Sequence, residues 1–121
     1  MLPLIKYANT LYDYRNTSVW SAPECLQSPK KVLDPTKEQD VYSFGMVLWE
    51  LWHEQIPFDN DVAMAIKYVL EEDSRPMIQS DLEGGKCSTE MANIIRLCWQ
   101  TDKHSRATYL RICDSLKKLQ Q

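Results

Sequence analysis

Asp40-Val41-Tyr42-Ser43-Phe44-Gly45-Met46-Val47-Leu48-Trp49-Glu50-Leu51-Trp52 is the longest apolar run in the chain, an axle around which other helices must pack. Val41, Phe44, Leu48 and Leu51 recur at helical spacing, which predicts a helix of about three to four turns. Tyr42, Met46, Val47, Trp49 and Trp52 fill other positions, so the helix is apolar nearly all round. Such a helix is normally buried inside a domain, and Phe44, Val47, Leu48 and Leu51 are expected in the core. The run is too short, and too interrupted by Asp40 and Glu50, to span a bilayer. Thr36-Lys37-Glu38-Gln39 has capping-box spacing, and Asp40 adds negative charge near the helix start. His53-Glu54-Gln55 and then Pro57 close the helix.

Outward from this axle the chain alternates loops and helices. On the N-terminal side, residues 2–9 read as a short strand or an extended arm, and residues 10–18 as a hydroxyl-rich loop. Pro23 suits the first turn of a short helix that Ser28-Pro29 ends. Residues 30–39 are a connecting loop. On the C-terminal side, Ile56 to Asn60 form a turn in which Asp59 or Asn60 can cap the next helix. Val62, Ala65, Ile66, Val69 and Leu70 give that helix one apolar stripe, and Asp73 to Pro76 end it. A polar turn surrounds Gly84-Gly85. Ser88 caps a long helix whose Met91, Ile94, Ile95 and Cys98 lie at i, i+3, i+4 and i+7. Thr108 caps a last helix with Tyr109, Ile112, Leu116 and Leu119 on one side. No β-sheet is predicted, and the chain reads as mainly α.

The 121 residues suffice for one domain with a real core. With 44% apolar and 26% charged residues, the composition is that of a globular protein. A net charge of −3 argues against nucleic acid as a partner. Three glycines, two of them adjacent, leave no glycine-rich phosphate loop. Cys25, Cys87, Cys98 and Cys113 show no C-x-x-C spacing and read as reduced thiols in a cytoplasmic protein. The apolar start, broken by Lys6, is not read as a signal peptide. His53 and His104 are expected to be solvated, and Cys98 to be a small core residue.

The axle resembles the central F-helix of the protein kinase catalytic domain, with its Asp-Val-Tyr-Ser-Phe-Gly opening and its Trp-Glu-Leu end. Thr17 to Glu24 resemble the end of a kinase activation segment, with Ala22-Pro23-Glu24 as the Ala-Pro-Glu signature. Ile56-Pro57-Phe58 and Arg75-Pro76 resemble the turns flanking the family's G-helix. Leu97-Cys98-Trp99 and Arg106-Ala107-Thr108 resemble the Cys-Trp and Arg-Pro-Thr signatures between the H- and I-helices. The Cys-Trp and Trp-Glu-Leu elements are similar to the tyrosine-kinase and tyrosine-kinase-like branches, whereas Thr17 is similar to the serine/threonine pattern. By this register residues 1–121 are a partial kinase domain: 1–21 an activation-segment remnant, 22–121 the helical lower half of the C-terminal lobe around a buried central helix. The departures are Asn16 for a glycine, Ser21 for methionine or leucine, and Lys103 and Ala107 for two prolines.

What the resemblance implies can be stated residue by residue. Glu24 and Arg106 would form a buried ion pair tying the activation segment to the lower helices, because a guanidinium fork meets a carboxylate in two hydrogen bonds. Asp40 would accept backbone hydrogen bonds from the catalytic loop, or else serve as a helix cap. Val47 and Leu51 would carry the apolar stack beneath adenine, or else be plain core. Thr17 and Trp20 fall at the substrate pocket, with Thr17 otherwise a loop hydroxyl. Thr10, Tyr12, Tyr14 and Ser18 lie where kinases are often phosphorylated. The family binds ATP and magnesium through a glycine-rich loop, a lysine, His-Arg-Asp and Asp-Phe-Gly motifs. None of these motifs occurs here, and Asp13-Tyr14-Arg15 is not Asp-Phe-Gly. The expectation is therefore a chain without catalytic, cofactor or metal residues of its own, from a parent using ATP and magnesium on protein hydroxyls. The alternative is a non-catalytic, pseudokinase-like interaction module. Either would meet protein substrates or partners through its G-helix region, with no nucleic acid and no membrane involved.

Overall fold

The computed structural model describes residues 18–27, 34–79 and 88–119. Helix α1 is Pro23–Leu26, α2 is Lys37–His53, α3 is Val62–Ile66, α4 is Thr89–Cys98 and α5 is Tyr109–Leu119. Two 3-10 turns, Pro57–Asn60 and Lys103–Ser105, join them, and α3 continues as a π-helical turn over Lys67–Glu71. No strand occurs among the described residues. The mainly helical architecture is the one expected.

The axle forms as its sequence dictates, and begins one turn early. Thr36 is the N-cap: its hydroxyl accepts from the Gln39 N–H at 3.1 Å, while the Gln39 side chain accepts from the Thr36 N–H at 3.3 Å. This reciprocal bonding satisfies two of the four amide donors a helix start leaves open. Asp40 therefore stands a full turn inside the helix, exposed, and does not cap it. Glu54, in the left-handed conformation at φ 55°, ends the helix. Ser88 and Thr108 cap α4 and α5 as expected, accepting from the Met91 and Arg111 amides at 3.2 Å each. The cap of α3 is neither Asp59 nor Asn60 but Asp61, whose carboxylate accepts from the Met64 N–H at 3.2 Å. Phe58, Asp59 and Asn60 all have positive φ, so the chain is still turning there and the helix cannot yet start.

The core lies along the seam where α2 packs on α4. Tyr42, Met46, Trp49 and His53 line one side of α2, and Met91, Ile94, Ile95 and Cys98 answer from α4, all of them buried. Gly45 sets how closely the two helices approach. A Cβ at Gly45 would stand 2.6 Å from Cys98 Cβ and 3.4 Å from the Ile95 carbonyl oxygen. Neither neighbour is the end of a flexible side chain. Gly45→Ala should gain about 1 kcal/mol of helix propensity and lose roughly 1–3 kcal/mol to overpacking. A net destabilisation of about 0–2 kcal/mol is expected, read as a lower urea midpoint at unchanged slope. A more stable variant would mean that the seam is looser than described.

Two core expectations fail. Val47 is 39% and Leu51 67% exposed, while Phe44 is half-buried and only Leu48 is buried as expected. A helix buries the faces its neighbours cover. Here α4 covers the Tyr42–Met46–Trp49 side, and no described element covers Val47 and Leu51. His53 is likewise buried rather than solvated, whereas His104 is exposed as expected. The His53 ring stacks on Trp49 with centroids 4.6 Å apart. Its Nε2 accepts from the Gln79 amide at 3.0 Å, so the proton sits on Nδ1 and is donated to the Trp49 carbonyl at 2.9 Å. On α5 only Ile112 is buried; Leu116 is half-buried, and Tyr109 and Leu119 are exposed.

Candidate functional site

Arg106, in the loop between α4 and α5, engages five hydrogen-bond acceptors. Its Nη1 and Nη2 each donate to one oxygen of Glu24 at 2.8 Å, a bidentate pair across 82 residues of sequence. Nε donates to the Gln100 carbonyl at 2.8 Å, Nη1 to the Glu38 carbonyl at 3.0 Å and Nη2 to the Thr101 carbonyl at 3.3 Å. All five guanidinium N–H groups are thus used. The Arg106 side chain is 0% exposed and that of Glu24 24% exposed. Burial pushes the Glu24 carboxyl up, but the Arg106 hydrogen bonds and charge, with a backbone hydrogen bond, bring it below its ordinary value. The pair ties α1 to the start of α2 and to the α4–α5 loop at one point.

The loop around Arg106 holds without the two prolines of the family pattern. The Ala107 N–H donates to the Leu97 carbonyl at 3.1 Å, a bond that proline could not make. Asp102 caps the Lys103–Ser105 turn, its carboxylate accepting from the His104 N–H at 2.9 Å. Hydrogen bonding thus holds the loop at both ends.

Beneath the pair lies Tyr42. The guanidinium carbons of Arg106 and Arg75 stand 5.1 Å and 5.2 Å from its ring centroid, within cation–π range. Burial pushes the Tyr42 hydroxyl up to about 12, against the lowering influence of the two arginines. That hydroxyl is buried with no hydrogen-bond partner among the described residues. Arg75 is also committed to Trp99 and Ser74 carbonyls and the Thr101 hydroxyl, at 2.9–3.0 Å. Sequence reasoning marked Arg75-Pro76 only as a turn, and nothing in local spacing announces that Arg75 and Arg106 share one aromatic ring.

Trp20 is fixed to the axle at two points. Its indole N–H donates to Glu50 at 2.8 Å, and its carbonyl accepts from the Ser43 hydroxyl at 2.8 Å. Ser21, in place of the usual methionine or leucine, closes a tight turn by accepting from the Ser18 N–H at 2.7 Å. Val47 and Leu51 line up on the exposed side of α2, away from the Glu24–Arg106 pair's partners. Asp40 receives no hydrogen bond on its carboxylate from any described residue. Thr10, Tyr12, Tyr14 and Thr17 lie outside the described residues. Cys98 is buried, and burial pushes its thiol up to about 12.

A family model for protein tyrosine and serine/threonine kinases matches residues 6–116. The chain belongs to the protein kinase family. Among its relatives, a putative serine/threonine-protein kinase/receptor of Acanthamoeba polyphaga mimivirus is 33% identical over 112 residues, covering 93% of this chain and 6% of the relative. A probable serine/threonine-protein kinase of Arabidopsis thaliana is 34% identical over 106 residues, 87% of this chain and 9% of that protein. Mitogen-activated protein kinase kinase kinase 10 of Xenopus laevis is 30% identical over 107 residues, 87% of this chain and 10% of that protein. The chain thus spans a tenth or less of the length of these kinases. Among the described residues, no three His, Cys, Asp or Glu side chains come together to hold a metal ion. No helix among the described residues is long and apolar enough to cross a membrane.

Proposed function

We propose that these residues form the helical lower part of the C-terminal lobe of a cytoplasmic serine/threonine kinase of the tyrosine-kinase-like group. The parent would transfer phosphate from ATP, with magnesium, to protein hydroxyls. The chain by itself binds no ATP and transfers no phosphate. Its role is architectural: it holds the end of the activation segment in place and presents the α3 region to protein substrates or partners. The observation that carries this reading is the bidentate Glu24–Arg106 pair, which fastens residues 18–26 to the helical body. The exposed Val47 and Leu51 support the kinase-part reading over a self-sufficient pseudokinase-like module. At those positions a complete kinase domain would rest its apolar stack.

The test is direct. Thermal-shift titration of the chain with ATP and magnesium should be flat, and radiolabel transfer to a generic protein substrate should be blank. Electrostatic stabilisation of the transferring phosphoryl group needs the missing lysine and metal ligands. Saturable ATP binding, or transfer above background, would overturn the proposal.

A further inference from the structure

A cavity of about 660 Å³ opens between the C-terminal end of α2, the Pro57–Asn60 turn, the π-helical turn that continues α3 and the segment 74–79. That size is ordinary for a ligand cleft, about 300–1,000 Å³. Trp49, buried, forms its base, with its indole N–H turned to the Met77 carbonyl at 2.9 Å. The Phe58 and Tyr68 rings stack along it, centroids 6.2 Å apart and 12° from parallel. The Met77 side chain, 70% exposed, adds a flexible apolar edge. An aromatic trough with a methionine edge suits one or two apolar side chains of an extended partner segment.

The exposed charge around this trough is mostly negative. Arg75 lines it, but its guanidinium is consumed by the Trp99 and Ser74 carbonyls and by Thr101. Asp59 and Glu72 remain exposed on the lining. Residues 54–73 hold six acids, Glu54, Asp59, Asp61, Glu71, Glu72 and Asp73, against the single base Lys67, and all seven are exposed. Asp61 is occupied in capping α3, and Asp73 with Thr101 and Arg75. Four acids are left to face solvent. Lys67 places its Nζ 6.0 Å from the Tyr68 centroid, the outer limit of cation–π attraction, so this ring already draws a cation that a guanidinium could replace.

We propose that this groove docks a protein segment bearing an apolar anchor flanked by lysine or arginine. The anchor packs on the Phe58–Tyr68 stack beside Met77, and the flanking cations meet Asp59 and Glu72. Charge complementarity selects this partner over an acidic one and raises the encounter rate. The proposal deepens the partner-binding reading of the α3 region and rests on it.

Fluorescence anisotropy with the labelled peptide Lys-Arg-Gly-Leu-Leu-Phe-Gly-Arg-Lys tests it. The peptide should bind the chain about tenfold more tightly than versions with Glu for Lys and Arg, or with Ser for Leu and Phe. Tyr68→Ala and Glu72→Lys, both at exposed positions, should each weaken it about fivefold or more, with helix content unchanged by circular dichroism. Leu110→Ser, at an exposed apolar site on α5, should leave binding unchanged. Equal binding of the three peptides, or of the groove variants, overturns the proposal. So does self-association of the chain through Tyr68 with no peptide bound. Binding that survives both groove variants but responds to Lys67→Glu would sink the groove and leave partner docking by α3 standing. The kinase reading is decided by the ATP and transfer assays, on which none of these outcomes bears.

Discussion

Arg106→Ala should cost about 3–5 kcal/mol of folding stability, because it strips a buried ion pair of one partner. The loss is larger than one salt bridge. Five hydrogen bonds go with the side chain, three of them to carbonyls of α2 and the α4–α5 loop. The cation also leaves the Tyr42 ring. Arg106→Lys should recover little of this, since an ammonium cannot meet Glu24 with a planar fork. The pair also predicts an acid response. The folded-state value of Glu24 lies below its ordinary 4.5. A carboxylate so lowered contributes stability that is complete above its unfolded value and is lost as pH falls through the folded one. Urea midpoints should therefore fall on acidification below about pH 4.5, and fall less steeply in Glu24→Gln. Equal slopes for the two proteins would mean that Glu24 is no such contributor.

Neighbouring positions on α2 should behave oppositely. Met46 is fully buried against α4, and Met46→Ala should cost roughly 2–5 kcal/mol through lost burial and the cavity left behind. Val47, the next residue, is exposed, and Val47→Ala should stay within about 0.5 kcal/mol of wild type. Chemical denaturation of the two variants checks this. A harmless Met46→Ala, or a Val47→Ala as costly, would mean that α2 presents a different face to its neighbours.

These two residues also show how far the sequence could be read. Helix existence, caps and ends followed from local chemistry: the Thr36–Gln39 box, Ser88 and Thr108 all act as their side chains dictate. The direction in which α2 faces did not. A helix apolar nearly all round carries no periodic signal to say which side its neighbours take. The decision came from Gly45, whose missing side chain lets α4 approach on the Tyr42–Met46–Trp49 side. His53 misled for a related reason. At a helix end a histidine looks solvated, and its partner, the Gln79 amide, lies 26 residues away. The Asp61 cap was missed because positive φ at Phe58, Asp59 and Asn60 delays the start of α3, which residue type alone does not reveal. The Glu24–Arg106 contact was legible only through family resemblance. The Arg75–Tyr42–Arg106 cluster, which depends on packing across three segments, was not legible at all.

That contact is also where the kinase placement can be tested most sharply, since nothing local in the sequence brings residues 24 and 106 together. A double-mutant cycle with Glu24→Gln and Arg106→Ala, read by urea denaturation, measures their coupling. The bidentate, desolvated geometry predicts strong non-additivity, about 2–3 kcal/mol. A coupling of about 0–1 kcal/mol, the range of exposed pairs, would contradict the buried anchor.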